Sequence, residues 1–254
     1  MWYNKRQEGD ILKISVVIPV YNEEKILSET KDELYAFCKQ RFTNGFEIIF
    51  SDDGSRDASR AISEGFSEPE IRVIGDTENR GKGYAVRQGI LAAEGDIVIF
   101  TDCDLAYGTE ILSEYASYFE KNSDCDVLVG SRALHPEGYS GYSFFRKILS
   151  RGYLRFLSLV GGIGVSDSQS GIKGFRRAAA REIFSFCESN RFAFDFEVLM
   201  LSEKLNYRVR EYPVKIINNR PSSMSFLRDS CKMIRDVMRI KKHVRSLNIN
   251  KNVK

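Results

Sequence analysis

The chain has 254 residues, of which 43% are hydrophobic, and this content is enough for a continuous core and argues against a disordered chain. The 38 Lys and Arg residues nearly balance the 35 Asp and Glu residues, so the net charge of +3 gives no argument for a nucleic-acid partner. Five cysteines without a CxxC pair argue against a disulfide framework and a zinc site, and only two histidines are present, which leaves carboxylates as the candidate reactive groups.

Short apolar runs rich in β-branched residues alternate with amphipathic stretches through the first half of the chain. Strands are predicted at ISVVIPV (Ile14–Val20), FEIIF ending at Phe50, IRVIG from Ile71, DIVIF ending at Phe100 and DVLVG from Asp126. Helices are predicted between them, through 27–38, from about Asp57, from Gly83 to Ala93 and from Thr109. Strands this apolar, separated by helices, predict an α/β fold with a mostly parallel sheet that is covered on both faces.

Polar clusters follow the predicted strands. In chain order these segments are YNEE, DDGSRD, DTENRGKG, TDCD and GSR. In open α/β sheets ligands bind outside the carboxyl ends of the strands, where loops and helix amino termini supply polar groups. The five segments therefore predict a ligand-binding rim at one edge of the sheet.

Asp102 and Asp104 follow the apolar strand DIVIF and are separated by one residue, so in an extended chain both carboxylates face the same side. Two like charges this close are costly to ionise unless a cation or hydrogen bonds compensate. Mg²⁺ or Mn²⁺, held by one or two carboxylates and completed by diphosphate oxygens and water, would resolve that cost. The alternative is a loop with two solvated aspartates that cap the next helix.

Two further clusters suit a nucleotide. Asp53 stands in a DDG segment at a strand end, where its carboxylate can accept hydrogen bonds from a base or from ribose hydroxyls. Lys82 belongs to the glycine-flanked basic turn NRGKG before a helix, which suits an anionic or ribose-bearing ligand. An ordinary turn is the alternative for each cluster.

The ordered set VVIPVYNEE, DDGS, NRGKG, TDCD and GSR resembles the inverting family-two glycosyltransferases over roughly the first half of the chain. The resemblance implies a GT-A fold, which is a Rossmann-like, mostly parallel sheet flanked by helices. It also implies a UDP- or GDP-hexose donor, with its nucleobase and ribose near Pro19, Tyr21, Glu23 and Asp53 and with Lys82 also at the nucleotide. Asp102 and Asp104 would then manage the ribose, the diphosphate and the metal ion.

Segments in the second half of the chain restrict this resemblance to two related groups of enzymes. SDSQSGIKGFRR, NRFAFDFEVLM and YRVREYPVKI are similar to segments of the dolichyl-phosphate glucosyltransferases and dolichyl-phosphate mannose synthases. This similarity implies that Asp167 and Gln169 lie beside the sugar and the metal, with Gln169 as a third metal ligand. It further implies that Asp195 and Glu197 form an acidic pair near the acceptor, although an ordinary half-buried segment would show the same FDFE pattern.

A phosphate acceptor fits the residues available. A sugar hydroxyl must lose a proton as it attacks, whereas a lipid phosphate, with a second pKa of about 6, is largely an oxyanion already. The acceptor then needs cations to position it, and the candidates are Arg132, Arg146, Lys147, Arg151 and Arg155. The last three recur every fourth residue, which places them along one side of a helix with aromatic neighbours, as at a membrane interface. A core-packed helix with solvated charges is the alternative.

The sequence therefore predicts inverting, metal-dependent transfer of a hexose from a nucleotide sugar to a polyprenyl or dolichyl phosphate. The resemblance implies that the hexose is glucose and that the donor is UDP-glucose. The expected catalytic residues are Asp104, Arg132, Gln169 and Asp195. One alternative is a family-two transferase that adds a sugar to a hydroxyl of a surface polysaccharide or glycolipid, with Asp195 or Glu197 as the base. Another is a noncatalytic nucleotide-sugar-binding protein.

The pattern changes after Arg132, where 138–164 is rich in aromatic and basic residues and SDSQSGIKGFRR leads into further helices. We expect a catalytic domain at 1–220, an amphipathic acceptor or membrane segment at 138–165 within it, and a basic helical extension at 221–254. Neither a signal-peptide pattern nor a bilayer-spanning run of roughly 18–20 apolar residues is found. The expected location is the cytoplasm, peripheral on the cytoplasmic face of a membrane, and the oligomeric state is left open.

Overall fold

The computed structural model describes residues 12–139, 152, 154, 155, 157, 159–218 and 226–248, and of 226–234 it describes the backbone alone. The strands in this part of the chain are β1 (Ile14–Val20), β2 (Phe46–Asp53), β3 (Ile71–Asp76), β4 (Ile97–Thr101), β5 (Val127–Ser131), β6 (Ile172–Arg176) and β7 (Val209–Pro213). The helices are α1 (Leu27–Arg41), α2 (Ser59–Glu64), α3 (Lys82–Ala92), α4 (Glu110–Lys121), α5 (Arg177–Phe186), α6 (Phe194–Lys204) and α7 (Phe226–Ser246). Residues 152, 154, 155, 157 and 159–161 are also helical.

The strands form one seven-stranded sheet in the order β3-β2-β1-β4-β6-β5-β7. β1 pairs in parallel with β2 and β4, β2 pairs in parallel with β3, and β5 pairs in parallel with β7. Only β6 runs antiparallel to its neighbours, β4 and β5. The predicted α/β fold with a mostly parallel sheet is confirmed.

Both faces of the sheet are buried because successive side chains of a strand point to opposite sides. In β1, Val17 packs into a core that α3, α5, α6 and α7 cover. Its neighbours Val16 and Ile18 pack into a second core on the opposite face, which α1 and α4 cover. This double covering explains why the central strands are almost continuously apolar.

Strand β6 was not predicted from the sequence, because SDSQSGIKGFRR was expected to lead directly into helices. A lysine at its centre, Lys173, hides the strand pattern, because a charged residue between apolar neighbours suggests an exposed position. In the structure Lys173 is 0% exposed and lies in the middle of the sheet. Its burial depends on an acidic partner that is described with the site.

The predicted C-terminal helix is confirmed as α7. Its apolar side packs into the same core as α6 through Val237, Ile240 and Val244, all of which are buried. The division of the chain at residue 220 into a domain and an extension stays a prediction. No helix in the described residues has both the length and the apolar character that crossing a membrane requires.

Candidate active site at the carboxyl ends of the strands

The acidic and glycine-rich segments meet at one rim of the sheet, as predicted from the strand ends. Asp53 ends β2 and pairs in register with Asp76, which ends β3, and Asp102 follows β4 directly. The segment after β1 is tied to the segment after β2, because the backbone N–H of Glu23 donates to Ser59 Oγ at 2.7 Å. The rim is therefore a continuous surface made from consecutive loops.

Asp53 shapes the basic turn NRGKG. Its carboxylate accepts hydrogen bonds from Asn79 Nδ2 at 3.0 Å, from Arg80 N at 2.9 Å and from Gly81 N at 2.8 Å. Burial raises the pKa of Asp53, and nearby Asp52 and Asp76 act in the same direction against the backbone hydrogen bonds, so the pKa stays above its usual value. Both carboxylate oxygens thus hold the turn, and contact of Asp53 with a ribose stays a prediction.

Gly81 lets this turn enter α3. Its φ of +112° lies in the region that favours glycine, and a Cβ there would lie 2.4 Å from the carbonyl oxygen of Asn190. The next residue, Lys82, begins α3 and forms an ion pair with Asp102. The turn therefore brings an ammonium group to the segment Asp102-Cys103-Asp104, called the DxD segment below.

Asp102 and Asp104 are both partly exposed at the rim. Oδ1 of Asp102 binds Lys82, and Gly171 lies so close to Oδ2 that a Cβ on this glycine would be 2.1 Å away. Asp104 Oδ1 accepts a hydrogen bond from the backbone N–H of Ala106 at 3.1 Å. Burial lowers the pKa of Lys82, but the charges of Asp102, Asp195 and Asp104 outweigh it and hold the pKa above its usual value.

The carboxylate oxygens of Asp102 and Asp104 suit a hard divalent cation that keeps water and phosphate oxygens among its ligands. Within the described residues no group of three or more His, Cys, Asp or Glu side chains is arranged to hold a metal by itself. Gln169 offers a further candidate oxygen, because its side-chain amide end is buried and the atom assigned as Nε2 has no hydrogen-bond partner. Amide oxygen and nitrogen are assigned from hydrogen bonds, so a flipped Gln169 would present its oxygen there.

Arg132 forms a two-pronged ion pair with the fully buried Asp167. Arg132 Nε lies 2.6 Å from Oδ2 and Arg132 Nη2 lies 2.9 Å from Oδ1. Burial raises the pKa of Asp167, but the hydrogen bonds and charge of Arg132 outweigh it and hold the pKa below its usual value. Asp167 also accepts the backbone N–H of Gln169 at 3.2 Å, so one carboxylate positions two predicted site residues.

Lys173 is a buried residue of this site that was not predicted from the sequence. Its ammonium forms an ion pair with Asp195 and donates to the carbonyl oxygen of Ser170 at 2.9 Å. Burial raises the pKa of Asp195, Lys173 and Lys82 lower it, and the net pKa lies above its usual value. Since Asp195 interacts electrostatically with both Lys82 and Asp102, it belongs to the same charged cluster as the DxD segment.

The predicted acidic pair has two different sets of partners. Asp195 binds Lys173, whereas the buried Glu197 accepts the backbone N–H groups of Ser189 at 2.7 Å and Glu188 at 3.1 Å. Burial raises the pKa of Glu197, and the two backbone hydrogen bonds oppose that effect. Glu197 thus fixes the loop before α6, while Asp195 faces the charged cluster.

The predicted nucleobase residues lie on the segment that leaves β1. Pro19 pairs in register with Ser51, and Tyr21 is 39% exposed immediately after the strand. Glu23 is half-buried, and its charge contributes to the raised pKa of Cys103, so it lies near the DxD segment. These three residues share the rim with Asp102, and their contact with a base stays a prediction.

A cavity of about 590 Å³ lies beside Arg132. It is lined by Ala133, Tyr139, Leu154, Arg155, Leu159, Val165 and Ser166. The guanidinium of Arg132 lies 5.8 Å from the ring centre of Tyr139, and Leu159 is 78% exposed. Of the predicted acceptor cations, Arg155 lines this cavity, whereas Arg146, Lys147 and Arg151 lie outside the described residues.

The rim of this mostly parallel sheet thus carries an acidic pair, an ammonium group and a glycine-containing turn. The chain matches the family model described as Glycosyl transferase family 2 over residues 15–184, and it belongs to this family of glycosyltransferases. It is 35% identical over 224 residues to the dolichyl-phosphate beta-glucosyltransferase of Drosophila melanogaster, covering 82% of this chain and 68% of that one. The protein of the same name from Dictyostelium discoideum is 32% identical over 247 residues, covering 91% of this chain and 75% of that one.

Solved structures agree with the fold. Glucosyl-3-phosphoglycerate synthase from Mycobacterium tuberculosis is similar with a TM-score of 0.61 and 20% identity, covering 100% of this chain and 89% of that one. Staphylococcal TarS gives a TM-score of 0.57 and 20% identity, covering 94% of this chain and 67% of that one. The predicted GT-A fold is therefore confirmed.

Proposed function

We propose that the chain transfers glucose from UDP-glucose to a dolichyl or other polyprenyl phosphate, with inversion at the anomeric carbon and in dependence on Mg²⁺ or Mn²⁺. The names of relatives at 31–35% identity support the sugar and the acceptor. A solved structure with the same fold holds Mn²⁺ and UDP-glucose, which supports the donor and the metal.

The observation that carries the proposal is the position of the cavity beside Arg132. Ser166 lines this cavity, and Gly171, five residues later, packs on Asp102. Five peptide steps span at most about 18 Å, so the cavity lies within that distance of the DxD segment. Its walls combine leucine and tyrosine side chains with one arginine, which suits an apolar chain that carries a phosphate.

In the proposed reaction, an oxygen of the acceptor phosphate attacks the anomeric carbon of glucose. The bond from that carbon to the donor diphosphate breaks, and UDP leaves with the bonding electrons. Lys82 supplies positive charge where negative charge develops on the leaving group. A divalent cation bound by Asp102, Asp104 and Gln169 would supply further neutralisation of the diphosphate.

A phosphate acceptor is favoured over a hydroxyl acceptor by the state of Asp195. A general base must reach the proton that it removes. Asp195 is only 7% exposed and its carboxylate is occupied by Lys173, so it is poorly placed to deprotonate a hydroxyl. Arg155, and by proposal Arg146, Lys147 and Arg151, would hold the acceptor phosphate at the cytoplasmic surface of a membrane.

The proposal is tested with matched acceptors. Radiolabelled UDP-glucose, GDP-mannose and UDP-galactose are each incubated with dolichyl phosphate or with dolichol, and organic-soluble product is counted. We expect product from UDP-glucose and dolichyl phosphate alone, loss of product with EDTA, and recovery with Mn²⁺. Transfer to dolichol or to a polysaccharide hydroxyl would establish the alternative acceptor, and the absence of any metal-dependent UDP release would indicate a binding protein.

Two variants distinguish the proposed metal site from the proposed acceptor site. Asp104→Asn is expected to lower turnover by at least about a hundredfold, as for loss of one strong transition-state contact. Asp124→Asn is the control, because the Asp124 side chain is half-exposed and forms an ion pair only with Arg210 within the described residues. Arg155→Gln is expected to raise the KM for dolichyl phosphate about tenfold and leave the KM for UDP-glucose unchanged.

A further inference from the structure

A second cavity, of about 770 Å³, lies between the loop 188–193 and helix α7. Its walls come from that loop, from Arg80 in the turn before α3, from Glu197 in α6 and from residues of α7 between 235 and 243. Neither Asp102, Asp104 nor Arg132 lines it. Its volume falls within the range of roughly 300–1,000 Å³ that is common for small-molecule sites.

Four arginines line this cavity, and two of them have no acidic partner among the described residues. Arg80 pairs with Asp76 at 3.0 Å, and Arg239 pairs with Asp236 at 3.2 Å. Across the described ranges, Arg191 and Arg235 form neither an ion pair nor a side-chain hydrogen bond, and both are exposed. Two uncompensated guanidinium groups, from the loop and from the helix, therefore face one space.

The carboxylates in the walls are already engaged. Glu197 is buried and accepts two backbone N–H groups, and Glu188 Oε2 lies 3.4 Å from His243 Nδ1. Asp236 is the partner of Arg239. Within the described residues, no carboxylate of the walls forms an ion pair with Arg191 or Arg235. These two guanidinium groups are therefore available to a ligand, and guanidinium groups match the geometry of phosphate oxygens.

Phe192 adds an apolar surface to the same cavity, since this side chain lines it and is 48% exposed. We propose that the cavity binds a phosphate-bearing ligand, with the phosphate between Arg191 and Arg235 and an adjoining apolar group against Phe192. A soluble phosphoester and a phospholipid headgroup share this chemistry. The proposal does not depend on the transferase reaction.

The loop that lines the cavity also packs on the basic turn NRGKG before α3. Tyr84 N donates to Asn190 O at 3.1 Å, and a Cβ on Gly83 would lie 2.6 Å from Ser189 O. A ligand in the cavity would thus contact a loop that packs directly on the start of α3. The site is adjacent to the predicted donor site and separate from its acidic cluster.

Binding is measured without turnover. Isothermal titration of the full chain with inorganic phosphate and with phenyl phosphate reports soluble ligands, and sedimentation with phosphatidylcholine vesicles, with or without phosphatidylglycerol, reports a headgroup. We expect phenyl phosphate to bind more tightly than inorganic phosphate. We expect the Arg191→Gln/Arg235→Gln variant to bind the preferred probe roughly tenfold more weakly or worse.

Arg245→Gln is the matched control, because Arg245 is exposed on the same helix and does not line the cavity. The single variant Arg235→Gln provides the same test with a smaller change, should the double variant unfold at a lower temperature than the wild type. Equal weakening by Arg245→Gln would show general charge attraction and overturn the proposal. So would failure of the wild type to bind any of the probes.

Discussion

The buried ion pair between Lys173 and Asp195 gives the sharpest test of how the site is held together. Lys173→Met removes a fully buried ammonium group and leaves the Asp195 carboxylate, 7% exposed, without its direct partner. Loss of one partner of a buried pair costs about 3–5 kcal/mol. Lys82 remains near Asp195 and compensates in part, so the lower end of this range is expected.

The effect should depend on pH, and its sign follows from the raised pKa of Asp195. A carboxyl whose folded pKa lies above its unfolded value binds more protons in the folded state. The free energy of unfolding therefore falls as pH rises from the ordinary value of 3.8 through the raised pKa of Asp195. Removing Lys173 raises the pKa of Asp195 further, because Lys173 is the nearest charge that lowers it. The destabilisation by Lys173→Met is therefore larger at pH 7 than at pH 5.

Urea denaturation at both pH values measures the effect. In thermal denaturation at pH 7, a loss of about 3 kcal/mol should lower the melting temperature by about 6–12 °C, at about 2–4 °C per kcal/mol for a chain of this size. The double variant Lys173→Met/Asp195→Asn should recover stability, with a coupling energy of about 2–3 kcal/mol. Lys121→Met, at an exposed position on α4, should change stability by less than about 0.5 kcal/mol. A pH-independent loss, or no recovery in the double variant, would show that Lys173 acts by packing alone.

Three further outcomes follow from the geometry. Gly81→Ala should cost about 1–3 kcal/mol in urea denaturation because of the positive φ and the close approach of a carbonyl, whereas Gly164→Ala, with open space around it, should be neutral. Asp167→Asn should destabilise the protein at pH 7, and the gap from the wild type should close as pH falls below the ordinary value of 3.8, because Arg132 holds the folded pKa of Asp167 below it. Burial raises the pKa of Cys103 to about 12, so iodoacetamide at pH 8 should leave this thiol unlabelled in the folded protein and label it in urea, as read by peptide mass spectrometry.

The sequence was sufficient for features that depend on local pattern. Apolar runs located strands β1, β2 and β4, and the position of Asp102 directly after β4 placed it at the rim. This works because a strand that is buried on both faces must be apolar, and because parallel strands end at a common edge. The family resemblance added the nucleotide residues, whose contacts remain predictions.

The pairings within the site were beyond the sequence because they join residues far apart in the chain. The binding of an acceptor phosphate by Arg132 stays a prediction, but the sequence did not show that Asp167, 35 positions away, holds its guanidinium. Lys173 was overlooked because its buried environment depends on Asp195, which is supplied by another element. A buried charge can be recognised only when its partner is known, and no local periodicity identifies that partner.

The charges of the cluster support the proposed divalent cation. Lys82 and Lys173 supply two positive charges against the three carboxylates of Asp102, Asp104 and Asp195, which leaves an excess of negative charge. A nucleoside diphosphate would bring more negative charge to the same rim and compete with Asp102 for Lys82. Lys82 alone cannot neutralise both groups, so we expect tight binding of the proposed donor to require added positive charge. On this reasoning, Asp102→Asn should bind UDP more tightly than the wild type in EDTA, and should lose most of the gain that Mn²⁺ gives the wild type. If Mn²⁺ strengthened UDP binding equally in both proteins, the carboxylate of Asp102 would have no part in holding the cation.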